Sequence, residues 1–361
     1  MKPTQQLHDL GQSLWLDNIT RDILTSGTLR HYRDDLSVTG LTSNPTIFDH
    51  AIRNSSAYDE SIRIKTAQGK SGDSLFYELA LEDLTQAADI FHPIYDSTNA
   101  VDGWVSLEVS PLLAYDTATT VKEVAQVRAQ SQLPNLLIKI PGTPAGVPAI
   151  EESISNGVQV NVTLLFSREQ YIQSAEAYMR GIERRIAAGR DPKVHSVASV
   201  FVSRWDKAIE GKVSDNLRNR LGIAIAQQTY KAYRELLQSQ RWQKLAKAGA
   251  VPQRLLWGST GTKDPGASDV LYVEALAAPE TINTIPEKTL RAFADHGRVK
   301  GVLPEDAGDA EQVLAEFSRA GVDTRELAEQ LQREGAEAFN KSWNDLMACL
   351  RSKSETLKKA S

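Results

Sequence analysis

Short apolar runs alternate with longer segments of helical periodicity from the first residues to about residue 300. Each run is rich in apolar or β-branched side chains and is followed by polar, Gly or Pro residues, which is typical of a strand that ends in a turn. Eight such runs are present, at residues 13–17, 37–42, 103–109, 136–141, 157–163, 196–201, 254–259 and 281–285. Amphipathic segments between them, such as 167–186 and 215–245, indicate helices.

This eightfold alternation predicts parallel β-strands that are joined by helices. It favours a closed (β/α)8 TIM barrel, with an open doubly wound sheet as the competing arrangement. Residues from about 308 to 355 show only helical spacing, so we expect residues from about 305 to 361 to form extra C-terminal helices on the barrel. Because α/β barrels often reach this length as one unit, we expect residues 1–361 to form a single domain.

A lysine interrupts the fourth predicted strand. Strands of a parallel sheet are buried on both faces and usually consist of continuous apolar runs, yet Lys139 lies inside the run LLIKI. Because side chains alternate along a strand, Lys139 shares a face with Leu137, whereas Ile138 and Ile140 point the other way, toward the predicted helix layer. We therefore expect Lys139 inside the barrel.

Other polar residues occupy comparable positions on neighbouring strands. The same alternation points three more polar side chains inward: Glu108, Asn161 and Thr163. Three others lie at or just beyond strand ends: Asp17, Asn44 and Ser199. Active sites of β/α barrels are built at the C-terminal ends of the strands, so the whole set predicts a functional site there. For Asn44 or Asp17 taken alone, a local capping role is an equally good explanation.

The inward lysine has a catalytic and a structural explanation. Burial disfavours an ammonium group and lowers the pKa of a lysine, and the neutral amine is a nucleophile that forms Schiff bases with carbonyl compounds. Asp17 and Glu108 would supply carboxyl groups for the accompanying proton transfers. Alternatively, Lys139 forms a structural ion pair with one of these two residues. We favour catalysis, although a catalytic amine can use the same partner.

Composition and charge exclude several classes of function. The chain is 41% hydrophobic and 24% charged, which is ordinary for a globular protein. Its net charge is -5 with both signs interspersed, so we expect no nucleic-acid partner, although a local basic pocket can still bind phosphate. No apolar run reaches the roughly 20 residues of a membrane span, and the N-terminal stretch does not resemble a signal peptide. We therefore expect a cytoplasmic protein without a membrane partner.

The single cysteine and the histidines add no further chemistry. Cys349 has no partner for an internal disulfide, which is typical of a reducing compartment. Its apolar neighbours Leu346, Met347 and Leu350 favour a core thiol over a nucleophile. The six histidines include no closely spaced pair of the kind that binds metals, so we expect no metal.

Five segments in register resemble the transaldolase family. They are LTSNPTIF (41–48), VSLEVSPLLAYDT (105–117), LLIKIPGT (136–143), VNVTLLFS (160–167) and SVFVSRWD (199–206). With its WGSTGTKDP segment the chain is more similar to the longer actinobacterial and cyanobacterial type than to the enterobacterial type. The resemblance implies a (β/α)8 barrel without a cofactor. The activity that it implies is the transfer of a dihydroxyacetone unit from fructose 6-phosphate or sedoheptulose 7-phosphate to an aldose phosphate.

The resemblance also implies catalytic roles for matching residues. Lys139 matches the lysine that forms the Schiff base. Glu108 matches an acid/base glutamate that acts through a water held by Thr163, and Asp17 matches the base that takes the proton of the C4 hydroxyl.

Other positions match residues that bind the substrate. Three of them match hydrogen-bonding partners of the dihydroxyacetone portion: Asn44, Asn161 and Ser199. Arg204 matches the phosphate-binding arginine. The enterobacterial type has a second phosphate-binding arginine after the seventh strand, where the nearest basic residue of this chain is Lys263. A lysine can bind phosphate as a point charge, but it lacks the bidentate fork of arginine.

Two alternative functions remain at this stage. Fructose 6-phosphate aldolases share this fold and lysine, but they are shorter, carry a tyrosine at the position of Phe201 and lack the glutamate that matches Glu108. A non-catalytic sugar-phosphate-binding barrel would use a similar pocket without Schiff-base chemistry. A monomer and a homodimer are both compatible with the sequence.

Overall fold

The computed structural model describes residues 1–359 and contains a closed barrel of eight strands. Each strand pairs in parallel with the next along the chain, and β8 pairs with β1. The strands are β1 Ser13–Asp17, β2 Val38–Thr42, β3 Val105–Glu108, β4 Leu136–Pro141, β5 Val160–Leu165, β6 Ser196–Phe201, β7 Gln253–Gly258 and β8 Ile282–Ile285. The predicted (β/α)8 barrel is confirmed, and the open doubly wound sheet is excluded. Predicted and observed strand ends differ by at most three residues.

Helices follow the strands around the barrel, and two single 3-10 turns lie at Pro111–Leu113 and Asp215–Leu217. The α-helices within residues 1–359 are α1 Pro3–Asp9, α2 Arg21–Thr25, α3 Thr28–Leu36, α4 Pro45–Arg53, α5 Asp59–Ala67, α6 Gly72–Ser97, α7 Thr117–Ser131, α8 Gly146–Ser155, α9 Arg168–Ala187, α10 Ser203–Ala208, α11 Leu221–Gln238, α12 Gln240–Lys247, α13 Leu271–Ala275, α14 Glu287–His296, α15 Ala310–Arg319 and α16 Thr324–Lys359.

One predicted amphipathic segment is interrupted. The structure divides the stretch 215–245 into a 3-10 turn, α11 and α12. The second break falls at Ser239, whose extended backbone ends α11 and whose hydroxyl accepts a hydrogen bond from the amide of Trp242. A serine in this position is a favourable N-cap and starts a new helix. The other segment, 167–186, is confirmed as α9.

The predicted alternation of side chains along the strands is confirmed in the core. Ile138 and Ile140 belong to the large apolar cluster between the barrel and its helices, whereas Leu137 belongs to a small cluster with Trp15 and Trp104. This small cluster contains residues near the beginnings of several strands and fills the N-terminal half of the barrel interior. The C-terminal half is therefore left to the polar residues.

Gly40 of β2 allows the two tryptophans to fit. A Cβ atom at this position would lie 2.6 Å from the carbonyl oxygen of Trp104 and 2.8 Å from Nε1 of Trp15. Such contacts are too short for any side chain, so only glycine fits here. The Trp15 indole donates a hydrogen bond of 2.7 Å to Asp102 Oδ1.

The expected C-terminal helices are present as α15 and α16. Helix α16 packs against α4, α5 and α6, and its Trp343 meets Phe76 of α6 edge to face with ring centroids 5.0 Å apart. Cys349 of this helix is a buried free thiol, which confirms its assignment to the core. Among residues 1–359, no helix combines the length and the apolar character that a membrane crossing requires.

Candidate active site

A cavity opens at the C-terminal ends of the strands. Nine of the ten residues that the sequence singled out line it: Asp17, Asn44, Lys139, Asn161, Thr163, Ser199, Phe201, Arg204 and Lys263. The tenth, Glu108, is 2% exposed and lies beside Lys139. The structure therefore brings the whole predicted set together, at the end of the barrel where it was expected.

Lys139 is enclosed between a carboxylate and a backbone carbonyl. The residue is only 6% exposed, and its Nζ donates a hydrogen bond of 3.0 Å to the carbonyl oxygen of Ser43. Oε2 of Glu108 lies 3.5 Å from the same nitrogen, because the register of β3 and β4 pairs these two residues directly. This geometry holds the amine at one point of the cavity and limits its contact with water.

Glu108 has unused hydrogen-bonding capacity inside the barrel. Neither of its carboxylate oxygens accepts a hydrogen bond from the described residues, and the hydroxyl of Thr163 also lacks a partner there. Burial raises the pKa of Glu108, while the nearby Lys139 opposes the shift. Buried polar atoms normally have partners, so these atoms are available to water or to a polar group of a substrate.

Asp17 stands at the end of β1 and is tied to the neighbouring strand. Thr42 Oγ1, which pairs with it in register, donates a hydrogen bond of 2.9 Å to Asp17 Oδ1 and lies 2.6 Å from Thr284 Oγ1. Burial raises the pKa of Asp17, and the charge of Lys139 and the hydrogen bond from Thr42 partly oppose this shift. A carboxylate with a raised pKa is a better proton acceptor than an ordinary aspartate.

A chain of hydrogen bonds fixes the amide of Asn161. Ser199 Oγ donates a hydrogen bond of 2.7 Å to Asn161 Oδ1, and Asn161 Nδ2 donates one of 3.2 Å to Ser106 Oγ. All three side chains are buried, and Asn161 pairs in register with Lys139. The amide therefore has a defined orientation next to the amine.

Asn44 combines a structural contact with its place in the cavity. Its Oδ1 accepts a hydrogen bond of 3.1 Å from the amide of Ile47 and caps the N-terminus of α4. The capping explanation from the sequence is therefore correct for this residue. Within residues 1–359 no hydrogen bond uses its Nδ2, so the side chain still offers a donor to a ligand.

Arg204 presents a guanidinium group without an ionic partner among residues 1–359. Its Cζ lies 5.3 Å from the ring centroid of Phe201 and 5.8 Å from that of Phe339. Burial lowers the pKa of Arg204, and Glu108 opposes this shift. The guanidinium nevertheless remains charged at neutral pH. A positive group held between two aromatic rings at the cavity wall fits an anionic ligand.

Lys263 is exposed at the rim of the same cavity. The adjacent Asp264 does not neutralise it, because the Asp264 carboxylate already accepts hydrogen bonds of 2.8 Å from Arg218, Asn219 and the amide of Gly266. No ion pair of Lys263 is present among residues 1–359. The rim therefore carries a second cation.

Several residues that shape the site are not among those that the sequence singled out. Ser106 lies two residues before Glu108 on the same strand face, so the alternation used for Glu108 contains the signal for Ser106. The carbonyl of Ser43 and the side chain of Phe339 gave no such signal. A backbone carbonyl is the same in every residue, and the spacing of Phe339 does not differ from that of its apolar neighbours on α16.

Comparisons with known proteins identify relatives over nearly the whole chain. A family model described as transaldolase/fructose-6-phosphate aldolase matches residues 14–350. A protein named transaldolase from Parafrankia sp. (strain EAN1pec) is 44% identical over 97% of each chain. One of the same name from Thermobifida fusca (strain YX) is 44% identical over 96% of each chain. Transaldolase 2 from Nostoc punctiforme is 38% identical over 98% of this chain and 97% of its own. The actinobacterial and cyanobacterial affinity seen in the sequence is thus confirmed.

Proposed function

Because this chain belongs to the transaldolase family and is an enzyme of that class, we propose that it works through a Schiff base on Lys139. The proposed donors are fructose 6-phosphate and sedoheptulose 7-phosphate, and the acceptors are glyceraldehyde 3-phosphate and erythrose 4-phosphate. The enclosure of the Lys139 amine, beside Glu108 and in one cavity with Asp17, is the observation that supports this mechanism most strongly. A purely structural ion pair at this depth would contribute little stability, since desolvation opposes it.

The first half of the reaction forms the covalent intermediate. The neutral amine of Lys139 attacks the C2 carbonyl of the ketose, the carbonyl oxygen takes up a proton, and the attacking nitrogen gives one up, so that a neutral carbinolamine forms. Protonation of that hydroxyl lets it leave as water, so that an iminium remains. We assign these proton transfers to Glu108, acting through a water that Thr163 orients. The buried oxygens of both residues lack hydrogen-bond partners among residues 1–359, which supports such a water between them.

The second half cleaves the carbon chain. Asp17 removes the proton of the C4 hydroxyl, the C3–C4 bond breaks, and its electron pair moves into the iminium to give an enamine on Lys139. The C4 fragment leaves as an aldose phosphate. Another aldose phosphate then enters, and the same steps run in reverse. Burial raises the pKa of Asp17, which suits a group that must accept a proton near neutral pH.

The remaining polar residues hold the substrate. We assign the hydrogen bonds to the dihydroxyacetone portion to Asn44, Asn161 and Ser199, because their polar groups line the cavity around Lys139. We assign the phosphate to Arg204, with Lys263 as a second, weaker cation at the rim. Phosphate recognition by a guanidinium is favoured by its planar set of donors.

An assay without an acceptor distinguishes transfer from simple aldol cleavage. Fructose 6-phosphate alone should release little free dihydroxyacetone, because the enamine remains bound until an acceptor arrives. Addition of erythrose 4-phosphate should restore steady turnover. Appreciable dihydroxyacetone release in the absence of an acceptor would instead support a fructose 6-phosphate aldolase. Transfer is the outcome that we expect, because Phe201 places a ring without a hydroxyl at the cavity wall, where fructose 6-phosphate aldolases carry a tyrosine.

Substitution of the lysine tests whether the barrel is catalytic. Lys139→Met should remove turnover while binding of the sugar phosphate persists, because the phosphate contacts remain. Lys122→Met is a matched control, since Lys122 is exposed on α7 and does not line the cavity. Full turnover by the Lys139 variant would contradict the proposed mechanism and favour a different nucleophile.

We also propose that the enzyme acts in the non-oxidative pentose phosphate pathway of the cytoplasm, as a single catalytic domain. The free buried thiol of Cys349 is compatible with a reducing compartment. Unfolding in urea, followed by both fluorescence and circular dichroism, tests the domain assignment. One coincident transition supports it, and two separated transitions contradict it.

A further inference from the structure

One face of the C-terminal helix α16 reaches the cavity wall. Gln332, Gly335 and Phe339 are spaced by three and four residues, so they follow one another along a single helix face. All three are buried. They lie against the ends of β4 and β5 and against Arg204, and Phe339 lines the cavity itself.

Gln332 ties the helix to two strands of the site. Its Nε2 donates hydrogen bonds of 3.0 Å to the carbonyl of Gly142 and 2.9 Å to that of Leu164. Gly142 directly follows β4, which carries Lys139, and Leu164 follows Thr163 within β5. Leu164 has a left-handed backbone with φ 58°, and the pairing of β5 with β6 shifts register at this point. The amide of Gln332 therefore fixes the helix over an irregular strand end rather than over a generic surface.

Gly335 lets the helix approach Arg204 closely. A Cβ at this position would lie 3.1 Å from Arg204 Nη1 and 2.9 Å from Leu164 Cδ2. Glycine is unfavourable in a helix interior, and here the close approach to the guanidinium accounts for it. Any larger residue would displace Arg204, Leu164 or the helix.

Phe339 completes the enclosure of the guanidinium. Phe339 is 6% exposed, and its ring centroid lies 5.8 Å from Arg204 Cζ, while the ring centroid of Phe201 on β6 lies 5.3 Å from the same atom. Within residues 1–359 no carboxylate pairs with Arg204. The position of the guanidinium is therefore set by packing against rings and the helix backbone rather than by an ion pair.

We infer that Gln332, Gly335 and Phe339 of α16 form a specificity-determining wall that positions Arg204 to bind the phosphate of the sugar substrates. This inference rests on the proposed role of Arg204 as the phosphate ligand. The wall acts through Arg204. Substitutions in the wall should therefore weaken recognition of phosphorylated substrates more than they slow the chemistry at Lys139.

The test compares a phosphorylated and an unphosphorylated acceptor in the full-length enzyme. With saturating fructose 6-phosphate, kcat/KM is measured for erythrose 4-phosphate and for erythrose in the parent, Gly335→Ala and Phe339→Leu. Each variant should lower kcat/KM for the phosphorylated acceptor by about 2- to 30-fold, as expected for a disturbed cation–π contact, and leave the other acceptor nearly unchanged. The inhibition constant of inorganic phosphate should rise by a similar factor.

A matched control separates this effect from lost packing. Phe317 is fully buried on α15 and does not line the cavity, so Phe317→Leu should lower stability and leave the preference between acceptors unchanged. Equal losses for both acceptors in Gly335→Ala and Phe339→Leu, or no loss for either, would overturn the inference.

Arg204→Ala distinguishes this inference from the proposed function. If Arg204→Ala removes the preference for the phosphorylated acceptor while both helix variants keep it, the wall is refuted and the phosphate role of Arg204 stands. If Arg204→Ala itself keeps the preference, the proposed phosphate site is wrong, and the inference is overturned with it. The preference should instead fall in all three variants and most strongly in Arg204→Ala.

Discussion

Asp17→Asn should separate carbon–carbon cleavage from formation of the covalent adduct. The substitution changes one oxygen of the side chain to an amide nitrogen and nearly preserves its shape. Thr42 Oγ1 donates to Asp17 Oδ1 over 2.9 Å, and asparagine keeps a carbonyl oxygen that can accept this hydrogen bond. What the variant loses is the group that accepts the proton of the C4 hydroxyl.

The expected effects on stability and on catalysis differ in size. A hydrogen bond to a neutral acceptor instead of a carboxylate costs about 1 kcal/mol, and removal of a partly buried charge offsets part of that loss. The free energy of unfolding should therefore change by only about 1 kcal/mol. Loss of a positioned base lowers the rate of the step by about 10²–10⁴-fold, which is about 3–5 kcal/mol in activation free energy.

Rapid-quench kinetics with fructose 6-phosphate measure both steps in one experiment. In Asp17→Asn, borohydride should still trap a ketose adduct on the protein, while release of glyceraldehyde 3-phosphate falls by the predicted factor. In the parent, the acid limb of the cleavage rate should lie above the usual aspartate pKa of about 3.9, because burial raises the pKa of Asp17. Equal loss of adduct formation and cleavage would refute the assignment of Asp17 as the base for cleavage.

Three further predictions concern the phosphate site and the core. Arg204→Ala should lower kcat/KM for erythrose 4-phosphate by about 100-fold, because charge-assisted hydrogen bonds to the phosphate are lost; equal effects on erythrose would contradict this. Lys263→Ala should cost less than about fivefold in the same assay, because this lysine is exposed, and a loss as large as that of Arg204→Ala would contradict its secondary role. Burial raises the pKa of Asp83 from 3.8 to about 6, so the folded protein binds more protons than the unfolded chain between these values. Urea unfolding should therefore show that the free energy of unfolding of the parent falls by about 2 kcal/mol relative to that of Asp83→Asn as the pH rises from about 4 to about 6; parallel pH dependences would refute the shift.

The sequence was sufficient for the barrel and for most of the site, and strand periodicity is the reason. Lys139 and Glu108 could be placed inside because inward and outward positions alternate with a period of two along a strand. In a closed barrel the C-terminal ends of all strands lie at one rim. Inward-facing residues near those ends are therefore close together in space, although they are far apart along the chain. The pairing of Glu108 with Lys139 follows directly from the register of β3 and β4.

The contribution of α16 could not be predicted in the same way. Phe339 reaches the cavity only because α16 packs across α4 and over the ends of β4 and β5, and that placement depends on tertiary contacts such as those of Gln332. The helical spacing of Phe339 indicates burial but not what the ring is buried against. The division at Ser239 was missed because apolar periodicity continues across the break, and only the serine N-cap marks it.

Reductive trapping of Lys139 is the most direct test of the proposed chemistry. The protein is incubated with fructose 6-phosphate, reduced with borohydride, digested and analysed by mass spectrometry. We expect a reduced adduct on the peptide that contains Lys139, with no adduct on that peptide when the sugar is omitted. An enzyme that turns over fructose 6-phosphate but leaves Lys139 unmodified under these conditions would contradict the Schiff-base mechanism.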